Sequence, residues 1–398
     1  MMMNIEPAVD KQTEPRISAV VPVFNGGPGL EKCLAAIAAS TYPVYECILV
    51  DDESTDGMAS AAAQRHGVRV ITLKQQSGPG IARNYGAKHA RGDILFFVDA
   101  DVLLHPDALA IAASAFANDP GLSAVFGSYD DQPGQASFLS QYRNLFHHWV
   151  HQTGNTEAST FWAGCGAVRR EVFLEMGGFS PAYGRPSIED IELGTRLYAA
   201  GHRIRLEKTM FGKHMKNWTF WNLIKTDIFH RGVPWMGLVL REKQAPNDLN
   251  LGLGSRIAAI LASVLGLSCV VLPFTGHAAA LLPAAAFLAA AALCIGLSGP
   301  TGGSKAKTWI AVLLVILAPL AMFMPAPDFW SVLPLALILG LVWTHQGFYR
   351  YVARKRSGAF AIAVIPMQVL FFLGCAVSAV VGLIRHYLVR RPARAATV

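Results

Sequence analysis

The chain has 398 residues, only 15% of them charged, and a net charge of +7; that length accommodates two domains of roughly 100–200 residues, and the charged fraction lies well below the about 25% of soluble proteins. The basic excess does not read as a nucleic-acid footprint, because Lys305, Lys307, Arg350, Arg354, Lys355, Arg356, Arg385, Arg390, Arg391 and Arg394 all flank apolar runs, where they suit lipid headgroups. Six cysteines without a C-x-x-C pair exclude a zinc-ribbon or disulfide-framework reading.

Residues 1–16 mix Glu6, Asp10, Lys11, Glu14 and Arg16 with prolines and are expected to be disordered. They lack the apolar core of roughly 7–15 residues of a signal peptide, so the polar part of the chain is expected in the cytoplasm. Val20–Phe24 is then a short apolar strand, followed by Gly26, Gly27 and Gly29 and a helical pattern through Leu30, Leu34 and Ile37. A second strand over Cys47–Val50 runs into Asp51-Asp52, an amphipathic helix covers Met58–His66, and a third strand covers Val68–Leu73. A further helix near Gly80–Ala90 leads to Ile94–Val98, which stops at Asp99. Continuous apolar strands alternating with helices predict an α/β domain over 17–244, with a mostly parallel sheet covered on both faces.

From Ile257 the composition changes. Five apolar segments, about 257–275, 278–297, 309–325, 329–349 and 359–384, approach the roughly 20 residues that cross a bilayer as helix, so 245–398 is expected to be a membrane domain with four or five crossings. With the polar domain inside, the positive-inside rule is met by the first four and broken by the last, unless the segment around Pro366 re-enters. Phe138, Tyr142, Phe146, His147, His148, Trp149 and His151 suggest a helix at the lipid interface or lining an acceptor channel, and Trp218, Trp221 and Trp235 suggest interfacial anchors.

In such a sheet ligands bind beyond the carboxyl ends of the strands, where Phe24, Asp51, Asp52, Asp99 and Asp101 fall. Asp99-Ala100-Asp101 after a buried strand suits a divalent cation bridging the phosphates of a nucleoside diphosphate, although a D-x-D triplet also serves as a turn or cap. Arg83, with Gly78, Gly80 and Gly86 around it, suits phosphate recognition by a guanidinium fork. Glu189-Asp190 opens a helix through Ile191, Leu193 and Leu197, where a carboxylate also complements the helix dipole.

Pro22, Phe24 and Asn25, then Asp51–Gly57, Ala82–Gly86, Asp99–Asp101, Trp162–Ala167 with Met176–Phe179, and Ile188–Leu193 together resemble, in order, the family 2 glycosyltransferases of GT-A fold. The resemblance covers about residues 17–240 and is nearest to members with C-terminal membrane helices, through Lys213–Thr219 and Arg231–Trp235. It implies that Pro22 and Phe24 line a nucleoside pocket, that Asp52 (or Asp51) contacts the base, and that Arg83 faces the diphosphate. It also implies that Asp99 contacts ribose or metal, that Asp101 ligates Mg2+ or Mn2+, and that Asp190 is the general base. Glu189 and Glu192 are alternative acidic residues, His214 a diphosphate or metal contact, Gly164 a site of backbone closure over the sugar, and Trp235 a residue at the membrane junction.

The expected activity is inverting, non-processive hexosyl transfer from a nucleotide-sugar, UDP-linked by preference, to a lipid or lipid-linked acceptor at the cytoplasmic face of a bacterial-type inner membrane. A processive polysaccharide synthase is the alternative, but His230–Trp235 stands where such synthases carry Q-x-x-R-W, without the glutamine or the Arg-Trp pair. A non-catalytic membrane scaffold that binds nucleotide is the second.

Overall fold

A computed structural model of the protein describes residues 14–242, 249, 252–295, 305–320 and 329–388. The expected disorder of the N-terminus lies, for residues 1–13, outside the described residues, as do Arg390, Arg391 and Arg394. In chain order the elements are β1 (Ile17–Val23), α1 (Gly27–Ala38), β2 (Glu46–Asp51), α2 (Met58–His66), β3 (Arg69–Thr72), α3 (Pro79–His89), β4 (Ile94–Val98), β5 (Val102–Leu104), α4 (Ala108–Asn118), β6 (Leu122–Tyr129), α5 (Phe138–Thr153), β7 (Glu157–Ala158), β8 (Cys165–Arg169), α6 (Arg170–Glu175), α7 (Glu189–Ala199) and β9 (Arg203–His214). Then follow α8 (Phe220–Lys225), a π-helical turn (Thr226–Gly232), α9 (Val233–Glu242), α10 (Leu253–Phe274), α11 (Leu282–Leu293), α12 (Lys305–Leu320), α13 (Phe329–Thr344), α14 (Gln346–Lys355), α15 (Gly358–Ala363) and α16 (Ile365–Leu388).

These elements fall into two compact units. The first takes the chain up to Ser128 together with 156–184 and 189–212; the second takes 129–155, 185–188 and 213 onward. Thus α5 and the segment from Lys213 to Glu242, which precede residue 245 in sequence, group with the apolar helices.

In the first unit the strand order is β3-β2-β1-β4-β8-β6-β9-β5, with β7 beside β9. The sheet is mixed, which corrects the mostly parallel expectation: β3, β2, β1 and β4 run parallel, whereas β4–β8, β6–β8 and β7–β9 are antiparallel. The correction has a physical reason: both edges of a sheet with covered faces make buried apolar strands, so burial alone does not report direction. Every residue of β1, β4 and β6 is buried. Pro22 is tolerated inside β1 because the ladder to β4 ends at Val20, leaving its missing N–H without a partner to lose. α1 seals one face with Leu30, Cys33, Leu34 and Ile37 at helical spacing, and its Pro28 sits in the first turn, where an N–H is not needed. Phe97, Phe173 and Phe179 form a mutual ring triangle with centroids 5.2–5.3 Å apart.

In the second unit, Ala258, Ala262 and Leu265 of α10 pack with Phe287, Ala290 and Ala291 of α11 and with Ile338 and Leu341 of α13. The other side of α10 leaves Val264, Leu267, Val270 and Phe274 exposed, an apolar outer face suited to lipid. Two helical stretches are long and apolar enough to cross a membrane, Leu253–Phe274 and Gly358–Leu388, and a third is possible if the pair Val332–Thr344 and Gln346–Lys355, bent by 67°, counts as one span. The segments expected at 278–297 and 309–325 form shorter apolar helices within the described residues. Pro366 lies in the first turn of α16, where proline starts a helix without breaking it.

Two aromatic expectations are corrected here. α5 is enclosed by protein, with Tyr142, Leu145 and Phe146 packed on Phe348, Tyr351 and Phe360, so it does not lie open to lipid. Trp218 is buried in the same cluster, whereas Trp221 is 77% exposed. Composition alone does not separate an aromatic helix at an interface from one at a protein core.

Candidate functional site

Because β1, β2 and β4 are parallel, their carboxyl ends meet on one side of the first unit. There the loops are stitched together by polar groups. Phe24 is 45% exposed at the end of β1, and Asn25 adopts φ 50°, a conformation asparagine tolerates. The Asn25 N–H donates to Ser54 Oγ at 2.9 Å and its Oδ1 accepts from the Thr55 N–H at 2.9 Å, so the loops after β1 and β2 hold each other.

The aspartate pair after β2 is buried. Asp52 Oδ1 and Oδ2 accept the Ser77 and Gly78 N–H groups, each at 2.8 Å, which builds the entry into α3. Asp51 Oδ1 accepts the Ser54 N–H at 2.9 Å and shapes its own turn. Both residues of the pair therefore have a structural engagement in the absence of ligand, alongside the base-contacting role implied by their motif.

Arg83, expected to face the diphosphate, lies among carboxylates from separate elements. It is 4% exposed, with Nη2 2.5 Å from Asp99 Oδ1, Nη1 3.1 Å from Glu189 Oε1, and its guanidinium 5.4 Å from the Phe179 ring centroid. Burial works against its charge, but Asp99, Glu189 and Asp190 outweigh that penalty and hold its pKa above the ordinary value. Next to it, Asn84 donates to the Phe179 carbonyl at 2.8 Å and accepts the Phe179 N–H at 2.9 Å, clamping the loop after Gly178. Asn84 carries no role in the sequence reading, although its place directly after Arg83 in the Ala82–Gly86 motif was the signal for it.

Asp190 sits in the first turn of α7. Its Oδ2 accepts the Ala163 N–H at 3.1 Å and its Oδ1 the Ile191 N–H at 2.8 Å. Burial, reinforced by the Glu189 charge, raises its pKa from 3.8 to about 6. Glu192 instead pairs with Arg196 at 2.8 Å, and Arg196 also donates to the carbonyls of Met176 and Gly178, so Glu192 braces the loop that Asn84 clamps. Gly164 cannot gain a side chain: a Cβ there would lie 2.5 Å from the Trp162 ring, and its carbonyl accepts the Asp99 N–H at 3.4 Å. His214 and Trp235 belong to the second unit, where His214 is buried and stacked on Tyr129 with centroids 4.1 Å apart, and Trp235 lies on α9.

No group of three or more metal-ligating side chains occurs among the described residues. That does not count against a nucleotide-bound cation, since magnesium or manganese in such sites takes one or two carboxylates and completes its shell with phosphate and water. Asp99 and Asp101 fit this donor set: Asp99 is partly exposed, and Arg83 engages Oδ1 of its carboxylate.

Residues 18–177 match the family model described as Glycosyl transferase family 2. This stretch belongs to that family. The family 2 domain is 32% identical over 124 residues to the glycosyltransferase AglE of Haloferax volcanii, a match covering 30% of this chain and 40% of that protein. It is 34% identical over 127 residues to the O-antigen biosynthesis protein RfbC of Myxococcus xanthus, covering 30% of this chain and 10% of that protein. The chain thus spans less than half the length of these two curated relatives. Among solved structures, the mannosyltransferase PcManGT from Pyrobaculum calidifontis, in complex with GDP-Man and Mn2+, superposes with a TM-score of 0.51 at 21% identity, covering 89% of this chain and 88% of that one; it shares the GT-A fold. The family match ends before α7, so the placement of Asp190 rests on the geometry described above.

Proposed function

We propose that the chain is an inverting, non-processive glycosyltransferase that moves a sugar from a nucleotide-sugar, UDP-linked by preference, to a lipid or lipid-linked acceptor at the cytoplasmic face of a membrane. The observation that carries this reading is Asp190, anchored by the Ala163 N–H at the start of α7 and raised to about 6 beside the family 2 nucleotide motifs. A base with that pKa is ionised at neutral pH yet basic enough to take the acceptor hydroxyl's proton as the new bond forms.

Pro22 and Phe24 form the nucleoside side of the pocket, Asp52 and Asp51 its base-reading corner, and Arg83 its diphosphate side. Asp101 and Asp99 hold Mg2+ or Mn2+, which when bound supplies positive charge against the departing nucleoside diphosphate. The cation is a consistent partner for this pocket, since Asp99, Glu189 and Asp190 set three carboxylates against a single guanidinium. Two helical stretches long and apolar enough to cross a membrane support a membrane location, where lipid-linked acceptors reside.

The test is transfer by the detergent-solubilised protein with a panel of UDP- and GDP-sugars and Mg2+ or Mn2+. Metal-dependent turnover that disappears in Asp101→Ala and Asp190→Ala is the expected result. Nucleotide binding without transfer to any lipid acceptor would replace this reading with a scaffold.

A further inference from the structure

Arg83 has a feature that the donor site does not explain. Its Nε is buried and has no hydrogen-bond partner among the described residues, while both terminal nitrogens are taken by carboxylates from different elements. A buried arginine kept only for structure normally has its donors satisfied, because an unmet buried N–H is costly. The fork is therefore held for its direction.

The residue that sets this direction is Glu189, whose side chain is 6% exposed. It lies close over a glycine of α3: a Cβ on Gly80 would lie 3.3 Å from Glu189 Cγ and 3.3 Å from Phe179 Cβ, a tight fit that crowds the path to Arg83. With Nη1 on Glu189 and the guanidinium face on Phe179, Nη2 has one remaining direction, toward Asp99 Oδ1. The second oxygen of Asp99 is left for a cation.

We infer that Glu189 is a positioning residue which, acting through Arg83, fixes the Asp99 carboxylate and so sets the affinity for the divalent cation, while touching neither cation nor sugar. This rests on the proposed glycosyltransferase reading. It also separates the roles of the adjacent acids: Asp190 serves the acceptor side and Glu189 the donor side.

The experiment is Mn2+ titration by electron paramagnetic resonance of the full-length protein in detergent, with UDP or GDP present, alongside steady-state kinetics with Mn2+ varied. Outer-shell partners of metal ligands typically change affinity by about 10–100-fold. Glu189→Ala should therefore weaken Mn2+ binding about tenfold or more and raise the KM for Mn2+, with kcat at saturating Mn2+ changed far less. Glu189→Gln keeps an acceptor for Nη1 but loses the charge, and should weaken binding only about threefold, since charge-assisted hydrogen bonds are roughly twice as strong as neutral ones. If the alanine variant does not fold, the glutamine variant decides: unchanged Mn2+ affinity overturns the inference. A loss of kcat at unchanged Mn2+ affinity in either variant overturns it too, placing Glu189 on the acceptor side. Failure of the wild-type protein to bind Mn2+ with either nucleotide would overturn the glycosyltransferase reading and this inference together.

Discussion

Both units of the protein bury an arginine against a carboxylate, and they do so for opposite ends. In the first, Arg83 is shared between Asp99 and Glu189 on two separate elements, and its Nε stays unmatched. In the second, Arg143 of α5 pairs with Asp227 of the π-helical turn at 2.8 Å, both largely buried, and the guanidinium lies 5.8 Å from the Phe371 ring of α16. The second pair joins helices one to one; the first leaves negative charge in excess. An ion pair with matched partners fixes packing, whereas an arginine outnumbered by carboxylates leaves a field that a cation or a diphosphate site can use.

The sharpest way to break this contrast is to remove the base. Asp190→Asn should lower kcat by about 10²–10⁴-fold with little change in donor affinity, as expected when general-base catalysis is lost. A drop in donor affinity instead would move Asp190 into the donor site. The next largest effect falls on stability. Arg83→Met leaves the buried Glu189 and the partly exposed Asp99 without their shared counter-ion and should cost about 3–5 kcal/mol, read as a fall in Tm, with Arg143→Met costing less because it strands only Asp227. Added Mn2+ with nucleotide stabilises whichever variant still binds it, so the rise in Tm should be kept in Arg143→Met and reduced in Arg83→Met. An equal rise in both would erase the distinction between the two units.

How much of this was legible beforehand differs by region for a physical reason. In the first unit, strands end where polarity begins, so the positions of β1, β2, β4 and α7 follow from the order of apolar runs and aspartates, and the helix Met58–His66 coincides with its structural bounds. The direction of β8 and β6 was not legible, since antiparallel strands buried on both faces have the same composition as parallel ones. Nor was the sharing of Arg83: Asp99 and Glu189 stand 16 and 106 residues away from it, and the meeting depends on how α3 crosses α7 at Gly80. In the second unit, α5 looked interfacial because its aromatics and histidines suit either lipid or a polar-lined core, and only the arrangement of α14, α15 and α16 decides between them.

The pH profile sharpens the comparison at a smaller scale. With its folded pKa raised to about 6, Asp190 binds a proton more tightly in the folded than in the unfolded chain. Its contribution to stability is therefore fully present below about pH 4 and is lost as pH rises through 6, while activity, which needs the carboxylate, runs the other way. Turnover should fall about tenfold per pH unit below 6, a limb absent from the residual activity of Asp190→Asn. A wild-type profile flat from pH 5 to 8 would mean that the acceptor arrives already ionised, as a phosphate does, and that Asp190 orients it without taking a proton.

The smallest expected effect tests the second unit alone. Tyr142 on α5 donates to Gln368 Oε1 at 2.7 Å, Gln368 is 1% exposed on α16, and its Nε2 has no partner among the described residues. Tyr142→Phe strands the amide oxygen as well and should cost about 1–3 kcal/mol. Gln368→Leu alone leaves the phenol only the Met367 carbonyl at 3.4 Å, but combined with Tyr142→Phe it removes both polar groups, and the double variant should lie near wild type in Tm. A double variant as unstable as the sum of the two would mean that the amide makes a contact beyond Tyr142, which would give this polar pair a role in the membrane helix that packing does not account for. Transfer activity should be unaffected by the double variant in either case if the hydrogen bond serves assembly alone.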